Sequence, residues 1–172
     1  MAGQFHMAFS DMVNGAGIIA AGPYGCVEGN LLRAIGDCMQ GGAVDRQRAA
    51  AVAHSAMARG EIASLTHLAN DRVWLLHGTA DTIVSQAVMG VLAQTYRDLA
   101  GDGIEIKATF DQPIGHGFPA LDAPVTCDES APPFVNACDL DAAGDMLRFL
   151  TDRGDAKASA SWSGVLKQQS FE

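Results

Sequence analysis

The chain has 172 residues, of which 48% are hydrophobic and 18% charged, and its 20 acidic and 11 basic side chains give a formal charge of −9. That is the size and composition of one globular domain, long enough to bury roughly two thirds of its unfolded surface. The acidic balance repels a phosphate backbone and leaves no basic stripe, so neither nucleic acid nor an anionic membrane is an expected partner. Apolar runs fall well short of the roughly 20 residues of a membrane span. The apolar N-terminal stretch has no Lys or Arg before Arg33 and is broken by Asp11, Asn14 and several glycines, unlike a signal peptide.

In chain order, Met1 to Phe9 is expected to be helical, with Met1, Phe5 and Phe9 on one face. It starts without a cap, which reads as the continuation of a longer element. Gly15 to Ala21 (GAGIIAA) reads as a short apolar strand and Gly22 to Cys26 (GPYGC) as the turn after it. Helices are expected over Asn30 to Met39 and Val44 to Met57, and Glu61 to Asp71 is a helix or irregular link. The organising stretch is Arg72 to Val84 (RVWLLHGTADTIV). Its Val73, Trp74, Leu75 and Leu76, closed by His77 and Gly78, suit a strand buried on both faces of a parallel sheet.

Val84 to Leu99 places Val84, Val88, Val91, Leu92, Tyr96 and Leu99 at helical spacing, and Gly101 stops it. In Ile104 to Phe110 apolar residues alternate with Glu105, Lys107 and Thr109, which predicts a strand near the sheet edge. Gln112 to Pro133 holds five of the six prolines and is read as loop. Asp139 to Leu150 is read as a helix with Leu140, Ala143, Leu147 and Leu150 inward. The polar stretch from Arg153 to Ser163 reads as a linker, with a further segment starting at Val165.

This alternation predicts an α/β fold with a mostly parallel sheet flanked by helices, with residues 1–152 as the domain and 153–172 as linker and start of another segment. Three strands are fewer than the four to six usual for a sheet, so the domain is read as incomplete, with an open strand edge that favours self-association.

Two residues carry the candidate chemistry. Asp81 lies just past the C-terminal end of the buried strand, where open α/β sheets place ligands and catalytic groups, and a rigid carboxylate there can orient a histidine. Capping of the helix near Val84 is the alternative role. His116 stands between Gly115 and Gly117 after the next strand, and the flanking glycines allow a sharp turn that leaves the imidazole accessible as a general base. His77 reads as structural, and His6, His54 and His67 as surface or packing residues. A metal site from His77, Asp81 and His116 matches no zinc signature, so no metal and no cofactor is expected. Cys26, Cys38, Cys127 and Cys138 lack CxxC spacing; two local disulfides in an exported protein are preferred over four buried thiols, and the pairing stays open.

Taken together, MAGQFHMAFSD, GAGIIAAGPYGC, LLHGTADTIV, GHGFP and PFVNACDLDAAGDML resemble polyhydroxybutyrate depolymerases of the short-chain esterase type, within the α/β-hydrolases. The resemblance runs from Met1 to about Leu150 and implies a partial α/β-hydrolase fold, in some members circularly permuted. It implies Asp81 as triad acid, His116 as triad base, and pairing of Cys26 with Cys38 and Cys127 with Cys138. Tyr24 and Trp74 are candidates for an acyl pocket, with buried packing as the other role for Trp74. It further implies a polyester or short-chain ester substrate and a secreted or periplasmic location. In that family a GxSxG-like nucleophile elbow precedes the helix that MAGQFHMAF resembles. No GxSxG occurs in the 172 residues, so the serine is expected upstream of Met1. The competing expectation is a non-catalytic or degenerate hydrolase-like binding module.

Overall fold

Residues 1–152 are described by a computed structural model. The expected linker from Arg153 and the segment after it lie outside the described residues. The main sheet has the order β1-β2-β3, formed by Gly15–Ile19, Arg72–Gly78 and Glu105–Gln112, and both pairings are parallel. Paired on both edges, β2 is buried along its whole length after Arg72. Its side chains alternate between two cores. Val73 and Leu75 enter the larger core with Met7, Leu68, Leu92 and Tyr96, while Trp74 and Leu76 face a smaller one with Ile114, Met146 and Phe149. A strand covered on both faces has no polar side to offer, which is why its sequence is a continuous apolar run.

Helices α1 (Ala2–Ala8), α3 (Arg46–Ala58) and α4 (Gln86–Ala100) cover the larger core, and α5 (Ala142–Leu150) covers the smaller one. The expected Asn30 to Met39 helix has two parts. A single turn, α2 (Leu31–Arg33), is capped by Asn30 and runs into a wide π-turn (Ala34–Met39) that carries Cys38 to Cys26. No helix among the described residues is long and apolar enough to cross a membrane.

Two expectations need correction. The proline-rich stretch read as loop contains strands: β4 (Phe118–Ala120), β5 (Val125–Thr126) and, just beyond it, β6 (Val135–Ala137) form a second parallel sheet of order β4-β6-β5. Strands of two or three residues are too short to show alternation. On α5, Ala143 and Leu147 face out, whereas Ala142, Met146, Phe149 and Leu150 face in. The bare surface of Gly15 and Gly17 in β1 decides this, because a Cβ on Gly17 would lie 2.0 Å from Met146 Sδ and one on Gly15 3.2 Å from Leu150 Cδ2. On α1 the apolar Met1, Phe5 and Phe9 are exposed, and Gly3, His6 and Met7 are buried.

His6 explains that orientation. Its Nε2–H donates to the Asp71 carboxylate at 2.9 Å, and its Nδ1 accepts from the Tyr96 hydroxyl at 3.1 Å, so one sealed network joins α1, the start of β2 and α4. A satisfied imidazole can be buried where an unpaired one could not. Burial lowers the His6 pKa below the ordinary 6.5, against the hydrogen bond and charge of Asp71, which pull it up. Burial and the Asp71 charge likewise raise Tyr96. The sign follows from proton uptake: below about pH 6.5 the unfolded chain takes up a proton that the folded chain refuses, so stability falls with pH until the folded value is reached. Urea unfolding between pH 7.5 and 5.5 is expected to show this loss, and His6→Gln is expected to flatten the slope while lowering stability at pH 7.5 by about 1–3 kcal/mol.

Candidate active site

The C-terminal end of β2 and the segment after β3 meet closely. A Cβ on Gly78 would lie 1.8 Å from the Ile114 carbonyl oxygen, so only a glycine admits this approach. The β2–β3 register shifts at the same place, between Leu76 and Gly78, and such irregularities re-aim the residues that follow. The Thr79 amide then donates to the Gln112 carbonyl at 2.7 Å, and the turn that follows presents Asp81.

Asp81 has a side chain only 1% exposed. Its Oδ1 accepts the backbone N–H groups of Ile83 at 2.8 Å and Val84 at 2.9 Å, and its Oδ2 accepts the His116 Nδ1–H at 3.0 Å. Helix α4 is capped by Ser85, whose Oγ accepts from Ala87, so Asp81 closes the preceding turn and keeps one oxygen for the histidine. With Nδ1 engaged, the His116 Nε2 has no hydrogen-bond partner among the described residues, and the side chain is 27% exposed. An oriented imidazole with one nitrogen fixed by a carboxylate and the other accessible can accept and return a proton.

The second sheet is the seat of His116. The Gly115 amide donates to the Cys127 carbonyl at 2.8 Å, the His116 amide donates to Ser130 Oγ at 2.8 Å, and the Phe134 ring meets the imidazole edge-on at 5.9 Å. Neither flanking glycine has a positive φ. They are required by crowding instead: a Cβ would lie 2.2 Å from the Glu129 carbonyl at Gly115 and 1.9 Å from Asn136 Oδ1 at Gly117.

Asn136, which carried no role in the sequence reading, is the hub of that seat. Fully buried, it faces the Thr126, Cys127 and Glu129 carbonyls with its Nδ2. The signal was a lone amide inside the apolar run FVNAC.

The remaining candidates sort by position. Cys26 is bonded to Cys38 and Cys127 to Cys138, the latter bracing the second sheet below His116. Tyr24 is half-buried against the larger core and lines a cleft with Pro23, Val44 and Val52, and no hydrogen bond joins it to Asp81 or His116. Trp74 does not fit a substrate-lining role: it is 2% exposed, packs beneath α5, and gives its indole N–H to Asp145 at 2.8 Å. His77 lies beside Asp81 and is buried, whereas His54 and His67 are exposed. No metal-holding cluster of His, Cys, Asp and Glu is found among the described residues.

A poly(3-hydroxybutyrate) depolymerase of Delftia acidovorans is 30% identical over 163 residues, covering 94% of this chain and 33% of its own length. A polyhydroxybutyrate depolymerase of Talaromyces funiculosus is 28% identical over 170 residues, covering 95% and 48%. Among solved structures, the PHB depolymerase from Penicillium funiculosum matches with a TM-score of 0.77 and 26% identity, covering 94% of this chain and 51% of that one. In sequence and in fold the relatives of this chain are polyhydroxybutyrate depolymerases. A PHB depolymerase complexed with an R3HB trimer gives the same values. No protein-family model matches the chain. The chain thus spans between a third and about half of the length of these depolymerases, and what it shares with them is a partial α/β fold with parallel sheets flanked by helices.

The seat of His116 is open to direct measurement. Asn136→Leu keeps the branched shape but adds bulk and leaves the buried Glu129 carbonyl without its donor, and is expected to cost about 3 kcal/mol in urea unfolding. The same variant should broaden or shift the His116 resonances while leaving those of His54 unchanged.

Proposed function

We propose that these residues supply the acid and base of a serine esterase that hydrolyses ester bonds of poly(3-hydroxybutyrate) or of short-chain hydroxyalkanoates. The observation that carries this reading is the 3.0 Å bond between the buried Asp81 carboxylate and His116 Nδ1, beside an Nε2 left accessible at the end of a parallel sheet. In the proposed reaction a serine hydroxyl contributed from outside residues 1–172 attacks the ester carbonyl. His116 Nε2 takes the serine proton and delivers it to the departing alkoxide, and Asp81 balances the imidazolium. Water, deprotonated by the same nitrogen, then releases the hydroxy acid and regenerates the serine. Residues 1–152 form an incomplete hydrolase domain that lacks the nucleophile elbow in this reading, and the two disulfides support export to an oxidising compartment. Self-association of the isolated 172-residue chain through the outer edge of β1 is part of the same proposal.

Two measurements test it. A fluorophosphonate that marks activated serines is expected to leave the mass of the 172-residue chain unchanged; an adduct on one of its own serines would relocate the nucleophile. In the longer protein that carries the serine, Asp81→Asn and His116→Ala are each expected to lower ester turnover on the order of 10⁴-fold with the fold retained. Wild-type turnover in either variant would reject the assignment. A folded longer protein that binds the polymer without hydrolysing it would instead support the degenerate binding module, a reading favoured by the absence of GxSxG from these residues.

A further inference from the structure

His77 is a buried imidazole that is not a partner in the Asp81–His116 bond. It sits near the C-terminal end of β2, 1% exposed, with the Phe110 ring edge-on at 6.5 Å. Its Nε2–H donates to the Val84 carbonyl at 2.8 Å and lies 3.6 Å from Asp81 Oδ2, the oxygen bound to His116. A carbonyl can only accept, so Nε2 carries the proton and Nδ1 is left with a bare lone pair. That Nδ1 has no hydrogen-bond partner among the described residues.

An orphaned buried nitrogen is unfavourable, and an apolar side chain of similar size would avoid it. What an apolar side chain cannot do is hold Val84. That residue is engaged on both sides, its carbonyl by His77 and its amide by Asp81 Oδ1. We infer that His77 is a positioning residue for the dyad: by anchoring the Val84 carbonyl to the central strand, it fixes the turn whose amides grip Asp81 Oδ1 and thereby aims Oδ2 at His116. The strand end is rigid and the Thr79 to Val84 turn is not regular structure, so the imidazole transfers the rigidity of one to the other.

The geometry stands on its own, while its catalytic consequence rests on the esterase reading. Nitrogen-15 NMR of the 172-residue chain tests it without turnover. The wild type is expected to show His77 protonated at Nε2, with slow exchange, and a low-field His116 Nδ1 proton. Protonation of His77 at Nδ1 would overturn the proposal. His77→Leu should lose the low-field resonance and speed exchange of the Ile83 and Val84 amides roughly tenfold, whereas His77→Gln, whose amide N–H can reach the Val84 carbonyl, should keep both. A folded His77→Leu with unchanged resonance and exchange, or a folded His77→Gln that loses the resonance, would overturn it. If His77→Leu fails to fold, the wild-type tautomer and His77→Gln decide. In the serine-bearing protein His77→Leu is expected to lower kcat about 10²-fold at nearly constant KM. Absence of ester turnover from every form, wild type included, would reject the esterase reading and leave the NMR result intact.

Discussion

A carboxylate removed from water must be met by donors, and the end of this sheet is arranged around meeting Asp81. Two amides come from its own turn, and one imidazole N–H comes from the segment after β3. Unpaired, a buried charge of this kind would cost several kcal/mol. Three features of the chain are therefore tied together. Gly78 lets the two strand ends touch, the glycines around His116 let its loop settle on the second sheet, and Asn136 with the Cys127–Cys138 bond makes that sheet a firm base. Loosening any of them moves His116 relative to a carboxylate that cannot follow it.

Much of this was legible in the sequence because it depends on strong, local signals. The buried central strand showed as an unbroken apolar run, and Asp81 and His116 stood out because both follow strands of one sheet. The two disulfide pairings, by contrast, entered only with the family resemblance, since spacing alone left three options. What escaped depends on contacts between distant segments. Periodicity located an apolar stripe on α5 but placed Ala143 and Leu147 inward, because the deciding feature was the bare surface of Gly15 and Gly17 more than a hundred residues away. The strands of the second sheet are two or three residues long and interleaved with prolines, below the length at which alternation can be seen.

The first helix shows the same principle from the other side. Its apolar Phe5 and Phe9 rings meet at a tilt, 4.7 Å between centroids, while exposed to solvent, and Met12 is exposed as well. Periodicity groups apolar residues on one face without saying whether that face is buried. The buried face is instead the one holding His6, a polar residue that a hydrophobic count would place outside. Its two nitrogens are both satisfied, so it packs as an apolar residue would while fixing the rotation of the helix. Helix α1 packs on β1, whose outer edge is unpaired among the described residues.

Two imidazole–carboxylate pairs lie at opposite ends of the central strand, and comparing them separates architecture from chemistry. Asp71 immediately precedes β2 and Asp81 lies just past its end. The bond lengths hardly differ, 2.9 Å for His6 to Asp71 and 3.0 Å for His116 to Asp81. Accessibility is what differs. His6 is sealed, with its second nitrogen occupied by Tyr96, so a proton taken up there would have no route to a substrate and would cost stability. His116 keeps its second nitrogen open and over a quarter of its side chain in solvent, while its carboxylate stays buried. A pair built in that way holds its geometry without consuming its reactivity, and this asymmetry, more than proximity of acid to base, supports placing the proposed ester chemistry at the C-terminal end of the sheet.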